Sequence, residues 1–304
     1  MRPLLLSAAI AIAIACSVPA AAQEVMPVLP PPDMASPAAA TAGNAADPAN
    51  TPVAPALSAA LDPVLAGDWR PAGNKARDVY RHPRETLAFF GVAPGQDVIE
   101  IWPGGGWYAE LLAPLLRDRG SYTGVVPEPA GEGEAGAQRN NQKLRELFAA
   151  RADVFGKARL VEANSASPVL GPPASADVVL TFRNAHNWVM AGNEQAMFKA
   201  FFAVLRPGGT LGVVDHRAAP DQPPAEMKTS GYLPEAYVIA LAEGAGFKLA
   251  GKSEVNANPA DTKDYPEGVW TLPPRLALGD KDRARYLAIG ESDRMTLRFT
   301  KPAK

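Results

Sequence analysis

The chain has one cysteine among its 304 residues, Cys16, and three histidines, His82, His186 and His216. Cys16 follows an apolar run from Leu4 to Ala15, too short for the roughly 20 residues of a membrane-spanning helix. Arg2 supplies a positive charge before the run, and small residues follow it, ending Ala20-Ala21-Ala22-Gln23. That order predicts a secretory signal peptide over residues 1–22, cut after Ala22, and hence a periplasmic or secreted protein. The competing reading is lipid attachment at Cys16, against which Ala13 stands where a lipidation signal prefers leucine. Cleavage after Ala22 leaves no cysteine, which excludes disulfides, thiol nucleophiles and thiolate metal sites. The fold must then rest on its hydrophobic core.

Charge of one sign is also lacking. Thirty basic residues face thirty-two acidic ones, for a formal net charge of −2, and no basic block stands out. Nucleic acid is therefore not an expected partner. Large apolar and aromatic residues are scarce from Glu24 to Ser58, where Ala, Pro and small polar residues dominate. Such a segment buries too little surface to order itself. Residues 23–58 read as a disordered Ala/Pro-rich linker, and 59–304 as one domain with no transmembrane segment in the mature chain.

What is present is an alternation of strands and helices. "DVIEIW", "SYTGVV", "ARLVEA", "ADVVLTF", "GTLGVVDH", "FKLAGKSEV" and "DRMTLRFTK" read as strands. "WYAELLAPLLRDRG", "AQRNNQKLRELFAAR", "GNEQAMFKAFFAVLR" and "LPEAYVIALAEGAG" read as helices between them. Apolar strands in that order imply an α/β fold with a parallel sheet covered on both faces. Ligands bind such sheets outside the carboxyl ends of the strands. Three polar clusters fall there: "EIWPGGG", "RNAHNW" and "DHRA".

The first cluster places Glu100, Trp102, Gly104, Gly105 and Gly106 between a strand and a helix. Glycine allows close backbone approach and positive φ, so Gly104–Gly106 suit a ligand cradle, with Trp102 walling or stacking on the ligand. The competing reading is a plain strand-to-helix turn around a buried Trp102. In the second cluster, Arg183, Asn184, His186, Asn187 and Trp188 are dense enough to suggest a site. Asn184 and Asn187 satisfying loop backbone groups is the alternative. His216 ends the fifth strand. Alternation along that strand turns Asp215 away from His216, so no metal is expected. Tyr80, Arg81 and His82 precede the first strand, and a long insertion from Asn256 to Ser292 carries Trp270 and Arg275, further candidates for ligand contact.

The order "E-x-W-P-G-G-G" then "LRPGGTLGVVDH" resembles a class I S-adenosylmethionine-dependent methyltransferase. "YRHPRETLAFFGV", "GGGWY", "FRNAHNW" and "ESDRMTL" are similar to segments of a family of predicted exported bacterial methyltransferases. The resemblance implies a Rossmann-like, seven-stranded, mostly parallel sheet whose last strand, about Arg294–Lys301, is antiparallel. It implies S-adenosyl-L-methionine as cofactor and a small-molecule or protein methyl acceptor. Glu100, Trp102, Gly104, Gly105 and Gly106 are then cofactor-binding, with Trp102 in the slot of the first motif glycine. Glu162 matches the acid that accepts from the adenine amino group, and Asn184, at the end of the strand that lines the transfer site, is also expected to bind the cofactor. His186 and His216 are the expected catalytic bases, pointing into the crevice. The alternatives are a non-catalytic binding module that kept the fold and a nicotinamide-dependent oxidoreductase, against which "LRPGG" argues.

Overall fold

A computed structural model describes residues 53–128 and 135–303, so the expected signal peptide and most of the expected linker lie outside the described residues. Seven strands form one sheet: β1 Asp97–Ile101, β2 Ser121–Pro127, β3 Arg159–Ala163, β4 Ala176–Phe182, β5 Leu205–His216, β6 Lys248–Ser253 and β7 Arg294–Thr300. Their order across the sheet is β3-β2-β1-β4-β5-β7-β6. Pairings among β1 to β5 are parallel, whereas β7 runs antiparallel to both β5 and β6. All seven expected strands are present, and so is the antiparallel last strand.

Strand alternation sorts the core into two layers. Ile99, Ile101, Val179, Leu211 and Val213 meet Trp188, Phe198, Phe201 and Phe247 on one face. Val98, Val178, Leu180 and Val214 meet Leu87, Phe90, Leu111 and Leu112 on the other. Both faces of the central strands are apolar because helices cover both. The edge strands β3 and β6 are largely exposed, which is why their sequences carry Arg159, Glu162, Lys248 and Lys252.

The linker ends earlier than Ser58. Pro55 opens a helix, Pro55–Ala66, that buries Leu57, Leu61 and Val64 against the second layer. Proline is pre-set for a first helical turn, and three apolar residues at helical spacing anchor the segment. Sparse composition alone hid this, because the apolar spacing begins only at Leu57.

Strand order reverses between β1 and β4, since β1 leads outward to β2 and β3 while β4 leads the other way. The connections leaving these strands diverge there and open a crevice at their carboxyl ends. The first two polar clusters converge on it, and Asp215 of the third meets His186 of the second.

Candidate functional site

The loop after β1 is held in an unusual conformation. Trp102 has φ +50 and donates its backbone N–H to Val125 O at 2.7 Å. Left-handed backbone in a bulky residue is strained, and tryptophan here has taken over a glycine's geometry. Its ring packs edge-on against Trp188 at 5.4 Å, which supports that position. Gly104 follows at φ +59, and a Cβ added there would meet only open space. Gly106 differs: at φ +85 its missing side chain makes room for Leu144, whose Cδ2 would lie 2.7 Å from a Cβ. Gly106 is thus a packing glycine, while Gly104 faces a cavity.

Two pockets meet at this loop. One, about 390 Å³, is lined by Trp102, Gly104, Pro127, Asn140, Asn141 and Asn184. The other, about 160 Å³, includes Arg77, Arg81, Glu100, Gly105, Tyr108 and Arg183. They share Trp102, Gly104 and Asn184. The larger lies beside the end of β2, and the smaller lies between β1 and β4.

The segment after β4 is a helix, Ala185–Ala191, not the loop its polarity suggests. Successive residues on a helix turn by about 100°, so the cluster splits: Arg183, Asn184 and Asn187 line the pockets described above, and His186 and Trp188 turn inward. His186 and Trp188 are buried, whereas Asn187 is exposed. Asn184 precedes the helix and donates from Nδ2 to Ile101 O at 2.9 Å and Trp102 O at 3.3 Å. It ties the end of β4 to the end of β1 while lining both pockets. Arg183, at φ +61, is the second left-handed residue other than glycine on the wall.

Asp215 does not turn away from the histidines. Its Oδ1 lies 2.8 Å from His186 Nδ1 and accepts the backbone N–H of His216 at 2.7 Å. His216 Nδ1 meets Ser292 Oγ at 2.6 Å, and the two imidazoles are 5.0 Å apart. β5 ends here, so a side chain from either face can bend over the strand's end. The three groups bring potential ligand atoms within 4.8 Å of one another. Yet burial, His186, and then Arg183, Arg294 and Arg81 drive His216 well below the ordinary histidine range. The arginines' share of that shift opposes a divalent cation as it opposes a proton, whereas the larger share, burial, leaves His216 neutral, the form in which an imidazole binds metal. Trp270 of the insertion reaches within 6.2 Å of the His186 ring, whereas Arg275 is exposed. Neither histidine lines the two pockets; both are buried.

Glu291 is the hub of the charged wall. It pairs with Arg77 Nε at 2.6 Å, Arg294 Nη1 at 3.1 Å and Arg81 Nε at 3.2 Å. Burial raises its pKa, but Arg81, Arg294, Arg183 and Arg77 outweigh that and hold it at about 2. Arg81 stacks its guanidinium over Trp107 at 4.7 Å and is lowered well below its usual value, by burial first and Arg183 second. Burial likewise brings Arg183 down to about 10, against the pull of Glu291. Glu100 is pushed up to about 8 by burial, although Tyr122 donates to it at 2.7 Å and Arg81 is near. It is therefore neutral near pH 7.

Of the residues expected from sequence, Arg81, Glu100, Trp102, Gly104, Gly105, Arg183, Asn184 and Asn187 line the pockets. Glu162 does not. It is exposed on edge strand β3 and pairs with Arg145 at 2.5 Å, on the helix Ala135–Ala150. Its position next to the strand end matched the pattern, but its exposed carboxylate faces Arg145 and lines neither pocket. Arg77, Asp215, Glu291, Ser292 and Arg294 were not among the site residues expected. "ESDR" was a usable signal, because four polar residues entering a buried strand need partners.

No protein-family model and no curated protein matches the chain. Solved structures do. The [4+2]-cyclase SpnF is similar at 16% identity and TM-score 0.52, over 82% of this chain and 93% of that one. A protein assigned as a sarcosine dimethylglycine methyltransferase from Galdieria sulphuraria gives 13% identity and TM-score 0.52, over 80% and 90%. At such identities the likeness shows fold alone, and the fold is that of the class I S-adenosylmethionine-dependent methyltransferases. SpnF, named as a cyclase, is a reminder that chemistry resides in the site.

Proposed function

We propose that this chain transfers a methyl group from S-adenosyl-L-methionine to an acceptor bound in the crevice between β1 and β4. The observation that carries this reading is the pair of pockets joined at Trp102, Gly104 and Asn184. The larger falls within the usual range of small-molecule sites, about 300–1,000 Å³. Gly104 leaves backbone room for the methionine part. Asn140 and Asn141 offer polar groups on the side of β2, where the nucleoside would lie. No phosphate needs cradling, so tryptophan in the first glycine slot is tolerable.

The cofactor brings an electrophilic methyl on its sulfonium. In-line transfer depends mostly on positioning. Asn184 fixes the junction of the two pockets, and the arginine wall would orient the acceptor. A proton must leave when the acceptor is protonated. Neither histidine lines the pockets, so we propose that the proton passes through an intervening group or water to His186 rather than His216. Asp215 holds His186 by Nδ1, leaving Nε2 as acceptor, whereas the basicity of His216 is suppressed.

Export with cleavage after Ala22 belongs to the same proposal. N-terminal sequencing of protein from its host should begin at Gln23; an intact Met1 would overturn it.

A second reading, a binding module without catalysis, draws on Trp102 in a glycine slot and on Glu162 being engaged elsewhere. Calorimetry with S-adenosylhomocysteine, followed by transfer of labelled methyl to host extracts, separates the two. Binding with transfer supports the enzyme. Binding without transfer supports the module, and no binding removes both.

A further inference from the structure

The smaller pocket carries more positive charge than its surroundings neutralise. Arg77, Arg81 and Arg183 line it, and Arg294 stands behind them on Glu291. Glu291 is the acid that pairs with Arg77, Arg81 and Arg294, and Asp215 is engaged by His186 and the His216 backbone. Glu100, the acid lining the pocket, is neutral near pH 7.

The hydrogen bonds tell the same story. Nη2 of Arg77 and Nη2 of Arg81 are buried without a partner among the described residues. Arg81 is 4% exposed overall. The Arg183 side chain makes no hydrogen bond or ion pair among the described residues, and its backbone is held left-handed at φ +61. A buried guanidinium N–H left unpaired costs more than a neutral one. Two such N–H groups and the unpartnered, half-buried Arg183 guanidinium face one cavity, an arrangement that a planar or tetrahedral oxyanion satisfies, since guanidinium groups pair with carboxylate and phosphate by two parallel hydrogen bonds.

We propose that Arg77, Arg81 and Arg183 form an oxyanion site for a carboxylate or phosphate group carried by the methyl acceptor. Assigning that group to the acceptor rests on the methyltransferase reading; the anion site itself does not. The charge of the cofactor favours the acceptor as its source. S-adenosylmethionine has a sulfonium, an ammonium and one carboxylate, and so enters with a net positive charge. Placed beside unneutralised arginines it is repelled. An anionic acceptor removes that repulsion, so the two ligands favour each other's binding. S-adenosylhomocysteine, which lacks the sulfonium charge, gains less from the anion.

The test uses the full chain without cofactor, titrated by calorimetry with succinate and with inorganic phosphate at low ionic strength. At least one anion should bind, and Arg183→Gln should weaken it about tenfold or more, the scale of one charge-assisted hydrogen bond. Arg183 has no structural partner, so this variant should keep its melting temperature; Arg81→Gln is the second variant. Saturating the anion site should tighten S-adenosylmethionine more than S-adenosylhomocysteine. Binding of neither anion, or equal binding by parent and Arg183→Gln, overturns the proposal. Loss of S-adenosylhomocysteine affinity in Arg183→Gln, with 5′-methylthioadenosine unaffected, would assign the arginines to the cofactor's own carboxylate and overturn the acceptor assignment. Anion binding by a chain that binds no S-adenosylhomocysteine would sustain the site and remove the methyltransferase reading instead.

Discussion

One oxygen of Asp215 serves both histidines: Oδ1 lies 2.8 Å from His186 Nδ1 and 2.7 Å from the backbone nitrogen of His216. The carboxylate thereby fixes the ring of one and the main chain of the other. Asp215→Asn can keep Oδ1 as acceptor for both, but it sets an NH2 against the backbone N–H of His186, which Oδ2 accepts at 3.3 Å, and it removes the charge beside the His186 ring. Methyl transfer should fall toward the loss expected for His186→Ala, about 10²- to 10⁴-fold for a general base. His216→Ala should cost less. S-adenosylhomocysteine affinity should stay within a few-fold in all three, and equal transfer by parent and His186→Ala would remove histidine from the chemistry.

The same cluster makes a prediction about metal. The arginine field disfavours a dication among His186, Asp215 and His216. Stoichiometric zinc should leave the melting temperature of the parent unchanged. An upward shift that His186→Ala abolishes would establish a metal site and displace the proton-transfer role.

Gly104 and Gly106 separate ligand room from packing. Gly104→Val places a branched side chain at φ +59 in open space, with a backbone penalty of about 1–2 kcal/mol. The fold should survive while S-adenosylhomocysteine binds about tenfold or more weakly, the added methyls occupying the space of the methionine part. Gly106→Val meets Leu144 and should instead lower the melting temperature. Unaltered affinity in Gly104→Val would take this loop out of the binding site.

Glu100 and Glu291 give stability opposite pH dependences. The pKa of Glu100 rises from about 4.3 in the unfolded chain to about 8 in the fold. Between these values the native state keeps a proton that the unfolded state releases, so stability falls as pH rises through that window. Glu100→Gln keeps the oxygen that accepts from Tyr122 and should remove this slope, a difference on the order of a few kcal/mol between pH 5 and pH 8.5. Glu291 has a depressed value, about 2, so its contribution is full above the unfolded value and is lost as pH falls toward 2. Urea unfolding of parent and Glu100→Gln at both pH values checks the first slope; identical slopes would mean that Glu100 ionises normally.

Removing Glu291 should be severe. Glu291→Gln leaves Arg77, Arg81 and Arg294 without their shared carboxylate, and breaking a buried pair typically costs about 3–5 kcal/mol. Phosphate should restore part of the loss in melting temperature more effectively than chloride at equal ionic strength.

Much of this was legible in the sequence, for reasons that also mark its limits. β1, β4 and β5 announce themselves because strands covered on both faces must be apolar throughout. The glycine loop is recognisable because positive φ at Gly104 restricts the residue type. The direction of Asp215 was not legible, since alternation holds within a strand and loses its force at the end, where both faces open onto one crevice. Glu162 illustrates the reverse case: it occupies the expected slot, and a helix two elements away supplies the arginine that its exposed carboxylate faces. The polar string around His186 read as loop because polarity outweighed spacing, yet Ala185, Trp188 and Val189 are the buried stripe of a helix. The arginine wall was hidden most deeply, because local sequence around Arg77 and Arg81 contains nothing to show that they share an acid near the other end of the domain.

That separation bears on how the protein comes into being. Arg77 and Arg81 lie 214 and 210 residues ahead of Glu291. A chain made from its amino end presents these arginines long before their counter-charge exists. Until the segment leading into β7 is synthesised and threaded between β5 and β6, the cationic groups must stay hydrated, and the crevice between β1 and β4 lacks a wall. Local helices and the β1–β2 pair can form early, but the long-range closure comes late and slowly. The newborn chain should therefore acquire ligand affinity last, in one step, when its final strand locks into the sheet.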